Sequence, residues 1–104
     1  MGSERSKLEE QVESGIEDTF QEPPRLRVLM HNDHYTAMDF VVQVLENVFN
    51  KPPAEALQIM LTIHKEGIGV CGVYTAEIAE TKVNMVSTLA KQSGFPLKCS
   101  MEGV

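Results

Sequence analysis

Arg25-Leu26-Arg27-Val28-Leu29-Met30-His31 runs into Asn32-Asp33-His34-Tyr35-Thr36 and on into Ala37-Met38-Asp39-Phe40-Val41-Val42, and the change of period along this stretch decides the fold. Leu26, Val28 and Met30 alternate with Arg25, Arg27 and His31, the period of two that a half-buried strand requires. Thr36, followed three residues later by Asp39, predicts a helix start of the capping-box kind with Asp in the place of Glu. Met38, Val41, Val42, Leu45 and Phe49 then recur at helical spacing. Strand, polar turn and helix therefore meet at one corner of the molecule.

Downstream, Asn50-Lys51-Pro52-Pro53 ends this helix, and Pro53 suits the first position of a second one. That helix carries Ala56, Ile59, Met60, Ile63 and His64 to a stop at Gly67. Ile68 to Tyr74, rich in Val, Ile and Tyr with interspersed glycines, reads as a second strand that permits close backbone approach. Thr75 is placed to cap a third helix from Ala76 to Gln92, apolar at Ala79, Val83, Val86 and Ala90 and ended by Ser93-Gly94. Leu97, Cys99 and Met101 alternate with Lys98 and Ser100 as a third strand. The order β-α-α-β-α-β predicts an α+β, two-layer sandwich in which a three-stranded antiparallel sheet packs against three helices.

The chain has 104 residues, enough for one small domain with a single core. Residues 1–22 hold seven acids and two bases and few large apolar side chains, a composition that predicts a flexible acidic N-terminal extension before a core domain at 23–104. Of the formal charge of −6, five net negative charges fall in that extension, which leaves the core nearly neutral. The basic patch that phosphate neutralisation demands is missing, so nucleic acid is not an expected partner. With no apolar run of spanning length and no secretory leader pattern, no membrane partner is expected and the reading is cytoplasmic. Cys71 and Cys99, in apolar surroundings without CxxC spacing, read as core thiols rather than a disulfide or a zinc site.

Three chemistries compete for the polar corner. His31, Asp33 and His34, with His64 borrowed, have the residue types of a metal site. A hydrolytic alternative has Asp33 orient His64 as general base for Thr36, Ser87 or Cys71. The sequence supplies no nucleophile elbow, phosphate-cradling loop or paired catalytic carboxylates beside them, and no metal or other cofactor is expected. A binding module uses more of the residues. Met60 and His64 share one helix face and Met38 and Val41 another, and where these faces meet beside Asn32-Asp33 they form an apolar hole with an anionic, hydrogen-bonding rim. Taken one at a time, Met38, Val41, Met60 and Ile63 fit plain core positions equally well.

Asn32-Asp33-x-Tyr35-Thr36-x-Met38-x-Phe40-Val41, Met60-x-x-x-His64, Val70-Cys71-Gly72-Val73, Thr75-Ala76-Glu77-x-Ala79-Glu80-Thr81-Lys82 and Pro96-Leu97, in that order, resemble the ClpS family of N-degron adaptors. The resemblance runs from about Pro23 to the C-terminus, and the acidic residues ahead of it are similar to the family's N-terminal extension. It implies a protein without enzymatic activity that binds the free first residue of substrate proteins, Leu, Phe, Tyr or Trp. It further implies delivery to a ClpA- or ClpC-type AAA+ unfoldase working with ClpP. On this resemblance Asn32, Asp33 and His64 read the amino group, and Thr36, Met38, Val41, Met60, Ile63 and Leu97 line the side-chain pocket, with Met38 excluding β-branched residues. Glu77 and Lys82 match the unfoldase-docking surface. Two positions depart from the family pattern: His34 replaces a second Asp and Ala37 replaces a Pro. The first predicts more pH-sensitive capture of an ammonium group, the second a looser start to the first helix.

Overall fold

A computed structural model describes residues 23–104, so the acidic extension expected over residues 1–22 lies outside the described residues. The elements are β1 (Arg25–His31), α1 (Met38–Asn47), α2 (Pro53–Glu66), β2 (Ile68–Thr75), α3 (Ala76–Ser93) and β3 (Lys98–Gly103). This is the predicted order. The strands form one sheet in the order β2-β1-β3 with both pairings antiparallel, so the strand read first from the sequence is the central one.

Its inward residues, Val28 and Met30, are fully buried and seat the core. Against them pack Val41, Val44 and Leu45 of α1, Ala56, Met60 and Ile63 of α2, and Ala79, Val86 and Ala90 of α3. Among the described residues no polar or charged side chain is buried, so the core holds together by apolar contact alone. Helix α1 stops at Asn47, short of the predicted Phe49. Val48 and Phe49 nevertheless stay in the core, because the chain continues along it before Asn50 takes a positive φ of 56°.

The second strand contains a feature with no local signature. Val28 pairs with Gly72 but Leu29 pairs with Val70, so Cys71 is an extra residue, a β-bulge. The bulge reverses the side-chain alternation: Gly69 and Cys71 are buried, then Val73 points out and Tyr74 turns onto the core beside its pairing partner, Leu26. Inwardness fades along β3, from buried Leu97 just before it, through half-buried Cys99, to exposed Met101.

Two capping expectations are corrected. Ala37 occupies the N-cap position of α1 with extended backbone (φ −65°, ψ 138°) and no side-chain cap. The helix begins one residue later than the pattern predicts, so Thr36 lies outside the cap position, and its hydroxyl donates to Asp33 Oδ2 at 2.6 Å. Thr75 does take the N-cap position of α3, again without a capping bond from its hydroxyl. Asp39 and Glu77 in the first turns of α1 and α3 favour those N-termini through the helix dipole.

Candidate functional site

Where β1 ends, a single backbone bond sets the geometry. Gly67 closes α2 in the left-handed conformation (φ 89°), which a residue without a Cβ adopts freely, and its N–H returns to the Ile63 carbonyl at 2.9 Å. The Gly67 carbonyl then accepts the Asn32 N–H at 3.0 Å. This fastens the turn after β1 to the end of α2, and so brings Asn32 and His64, from the last turn of α2, to one rim.

Asp33 organises the turn itself. Its Oδ1 accepts the Tyr35 N–H at 2.8 Å, an Asx-type turn, while its Oδ2 accepts the Thr36 hydroxyl. A carboxylate has about four acceptor sites, so two internal bonds leave capacity toward a further donor. Between this turn, α1, α2 and the segment before β3 lies a depression of about 270 Å³, its open mouth included. It is lined by Asn32, Asp33, His64, Thr36, Met38, Val41, Met60, Ile63 and Leu97, together with His31. The floor is apolar and buried at Val41, Met60, Ile63 and Leu97, whereas Met38 at the mouth is 45% exposed. No lysine or arginine lines it, so Asp33 provides its one fixed charge.

The nine residues assigned by resemblance to the amino group and the side chain are therefore brought together. His31 was not among them. Its Nε2 lies 2.6 Å from Ser100 Oγ on β3, a partner distant in sequence, and only its place at the end of β1 hints at the pocket. His34 is exposed in the turn and outside the lining. Glu77 and Lys82 lie elsewhere, on α3, and differ in environment. Glu77 is exposed, but the Lys82 ammonium turns inward, donates to the Val48 carbonyl at 2.6 Å and lies over the Phe49 and Tyr74 rings at 5.9 and 5.3 Å.

The competing chemistries are not assembled. Among the described residues no group of three or more His, Cys, Asp or Glu is placed to hold a metal ion. The Thr36 hydroxyl donates its hydrogen bond to Asp33, and Ser87 on α3 lines a separate recess with Val83 and Asn84, outside the lining that includes His64. Cys71 is fully buried, and the hydrogen bond to Cys99 followed by burial raises its pKa far above the usual thiol range, which leaves no thiolate to act as a nucleophile. Both cysteines are free.

Fold and site together define a small binding module with an apolar hole and a polar rim. The family model for "ATP-dependent Clp protease adaptor protein ClpS" matches residues 21–100. An ATP-dependent Clp protease adapter protein ClpS from Oleidesulfovibrio alaskensis is 54% identical over 104 residues, the whole of both chains. Another from Syntrophus aciditrophicus is 56% identical over 88 residues, covering 85% of this chain and 82% of its own. Among solved structures, Agrobacterium tumefaciens ClpS2 bound to L-phenylalaninamide matches with a TM-score of 0.77 and 36% identity, over 80% of this chain and 100% of that one. The chain belongs to the ClpS family: it is an adaptor of the Clp protease and not an enzyme. No helix among the described residues is long and apolar enough to cross a membrane.

Proposed function

We propose that the depression receives the first residue of a substrate protein whose amino terminus is free and whose side chain is bulky and apolar, Leu, Phe, Tyr or Trp. The observation that carries this reading is the convergence of Asn32, Asp33 and His64 on one rim above an apolar floor of Val41, Met60, Ile63 and Leu97. The ligand of the Agrobacterium relative supports it, since phenylalaninamide has a free α-amine, an aromatic side chain and an amide where the chain of a protein would continue.

Each part of such a ligand has a counterpart. An α-amino group with a pKa near 7.7–8.0 is mostly protonated at neutral pH and pairs with Asp33, while the Asn32 side-chain oxygen and a His64 ring nitrogen accept hydrogen bonds from its remaining N–H groups. Burying a Leu or Phe side chain contributes about 1.5–3 kcal/mol, and each charge-assisted hydrogen bond about as much again. Together these reach the ~8 kcal/mol of a micromolar complex from one residue and its backbone. The thioethers of Met38 and Met60 adapt to aliphatic and aromatic shapes alike. The bound protein then passes to a ClpA- or ClpC-type AAA+ unfoldase that feeds ClpP, in the cytoplasm, with Glu77 on the docking surface.

Fluorescence anisotropy with peptides that differ only in residue one tests the reading. Leu- and Phe-start peptides are expected to bind at least tenfold more tightly than Gly-start or N-acetylated Leu-start peptides, and Asp33→Ala to lose that preference. Equal affinities across the panel refute it.

A further inference from the structure

One wall of the depression rests on a residue that does not itself line it. Ile63 is 2% exposed and lines the floor, and behind it stands Gly69 of β2, buried opposite fully buried Met30. A Cβ at position 69 would lie 2.6 Å from Ile63 Cγ1, 3.4 Å from Cδ1 and 3.6 Å from the Ile59 carbonyl oxygen. Carbon atoms pack at about 3.5–4.0 Å, so the isoleucine sits where only a hydrogen leaves room for it.

We propose that Gly69 is a positioning residue for side-chain selection: by letting Ile63 sink into the sheet, it sets the depth of the pocket and so admits aromatic first residues. This rests on the proposed reading of the depression as a first-residue pocket. The direction of the effect follows from what surrounds Ile63. Its β-branched side chain has essentially one χ1 rotamer on a helix and cannot swing aside. The Ile59 carbonyl oxygen, one turn earlier on α2, lies 3.6 Å from the same Cβ position, and fully buried Met30 pairs with Gly69 across the sheet. Relief of a methyl at position 69 is therefore toward the depression, by about 1 Å, and the floor rises. Leu, which reaches less deeply than Phe or Trp, is affected least.

The experiment measures ratios of affinity, which a general loss of stability does not move. Binding of Leu-, Phe-, Trp- and Gly-start peptides is titrated for the wild type, Gly69→Ala, Ile63→Val and the double variant. Gly69→Ala is expected to weaken Phe and Trp by about tenfold while Leu changes less than threefold, the scale of one misplaced methylene in an apolar pocket. Adding Ile63→Val, which removes Cδ1 but keeps the carbon that the new methyl meets most closely, restores the wild-type ratio only in part. Ile63→Val alone shifts preference toward Trp, and this arm stands even where Gly69→Ala fails to fold. An unchanged Phe-to-Leu ratio in Gly69→Ala, or an unchanged Trp-to-Leu ratio in Ile63→Val where the first variant does not fold, overturns the proposal. Failure of the wild type to prefer Phe over Gly overturns the pocket reading itself.

Discussion

Lys82→Met tests whether the inward ammonium is part of the fold. The ammonium donates to the Val48 carbonyl, at the C-cap position of α1, and lies over the rings of Phe49 and Tyr74. A hydrogen bond to a charged group contributes about 1.5–3 kcal/mol and the aromatic contact about 0.5–1 kcal/mol, while a cation at a helix C-terminus adds up to ~1 kcal/mol. These effects overlap at one nitrogen, and methionine keeps most of the packing of the lysine stem, so the expected loss is about 2 kcal/mol. For a domain of this size that lowers Tm by roughly 8–16 °C. Thermal unfolding by circular dichroism measures it, with urea titration checking that the slope of unfolding free energy stays constant. Glu80→Gln, exposed on the same helix beyond its first turn, is the control and is expected to change stability by less than ~0.5 kcal/mol. A fall in Tm of less than 3 °C for Lys82→Met would refute the structural role and return the residue to the docking surface.

Ala37 has a φ of −65°, the angle a proline ring imposes. Ala37→Pro is therefore expected to stabilise by about 0.4–1 kcal/mol, because it restricts the unfolded chain without straining the turn, and a lowered Tm would show the reasoning wrong. Cys71 and Tyr74 both hold their protons more tightly in the fold, Cys71 through the bond to Cys99 and burial, Tyr74 through burial and the neighbouring Cys71. Groups whose pKa is raised by folding favour the native state below their unfolded pKa and cease to as pH climbs beyond it. Tm should therefore fall from about pH 8.5 upward, where unfolded thiols ionise. Cys71→Ala should remove most of the fall before pH 10. Rapid alkylation of Cys71 in the native protein at pH 8 would contradict this account.

What was legible in the sequence is what depends on period and punctuation. Alternation at Leu26, Val28 and Met30, helical spacing around Val41, Met60 and Val86, and stops at Gly67 and Gly94 are local signals, and each element appeared in its place. What escaped depends on partners far along the chain. The bulge at Cys71 exists only in the register of β2 against β1, and no period within Ile68–Thr75 announces it. The Thr36 hydroxyl could cap α1 only if the helix began right after it; the helix begins one residue later, and the hydroxyl donates to the carboxylate three residues back. Lys82 reads by resemblance as part of a docking surface until the fold turns its ammonium onto the Val48 carbonyl. For the site, the residues alone left core and pocket open for Met38, Val41, Met60 and Ile63. Family motifs separated the two readings, and the depression later gathered those residues beside Asn32 and His64.

The extra residue at Cys71 divides one strand between two tasks. Ahead of it, Gly69 serves the floor beneath Ile63; after it, Tyr74 faces the core under Lys82. A one-residue deletion there would erase the bulge rather than shift the faces: Gly72, Val73 and Tyr74 would keep their places opposite Val28, Arg27 and Leu26, so Tyr74 would stay beneath Lys82 and only the buried thiol would be lost. One end of β2 thus answers to the pocket and the other to the packing of α3.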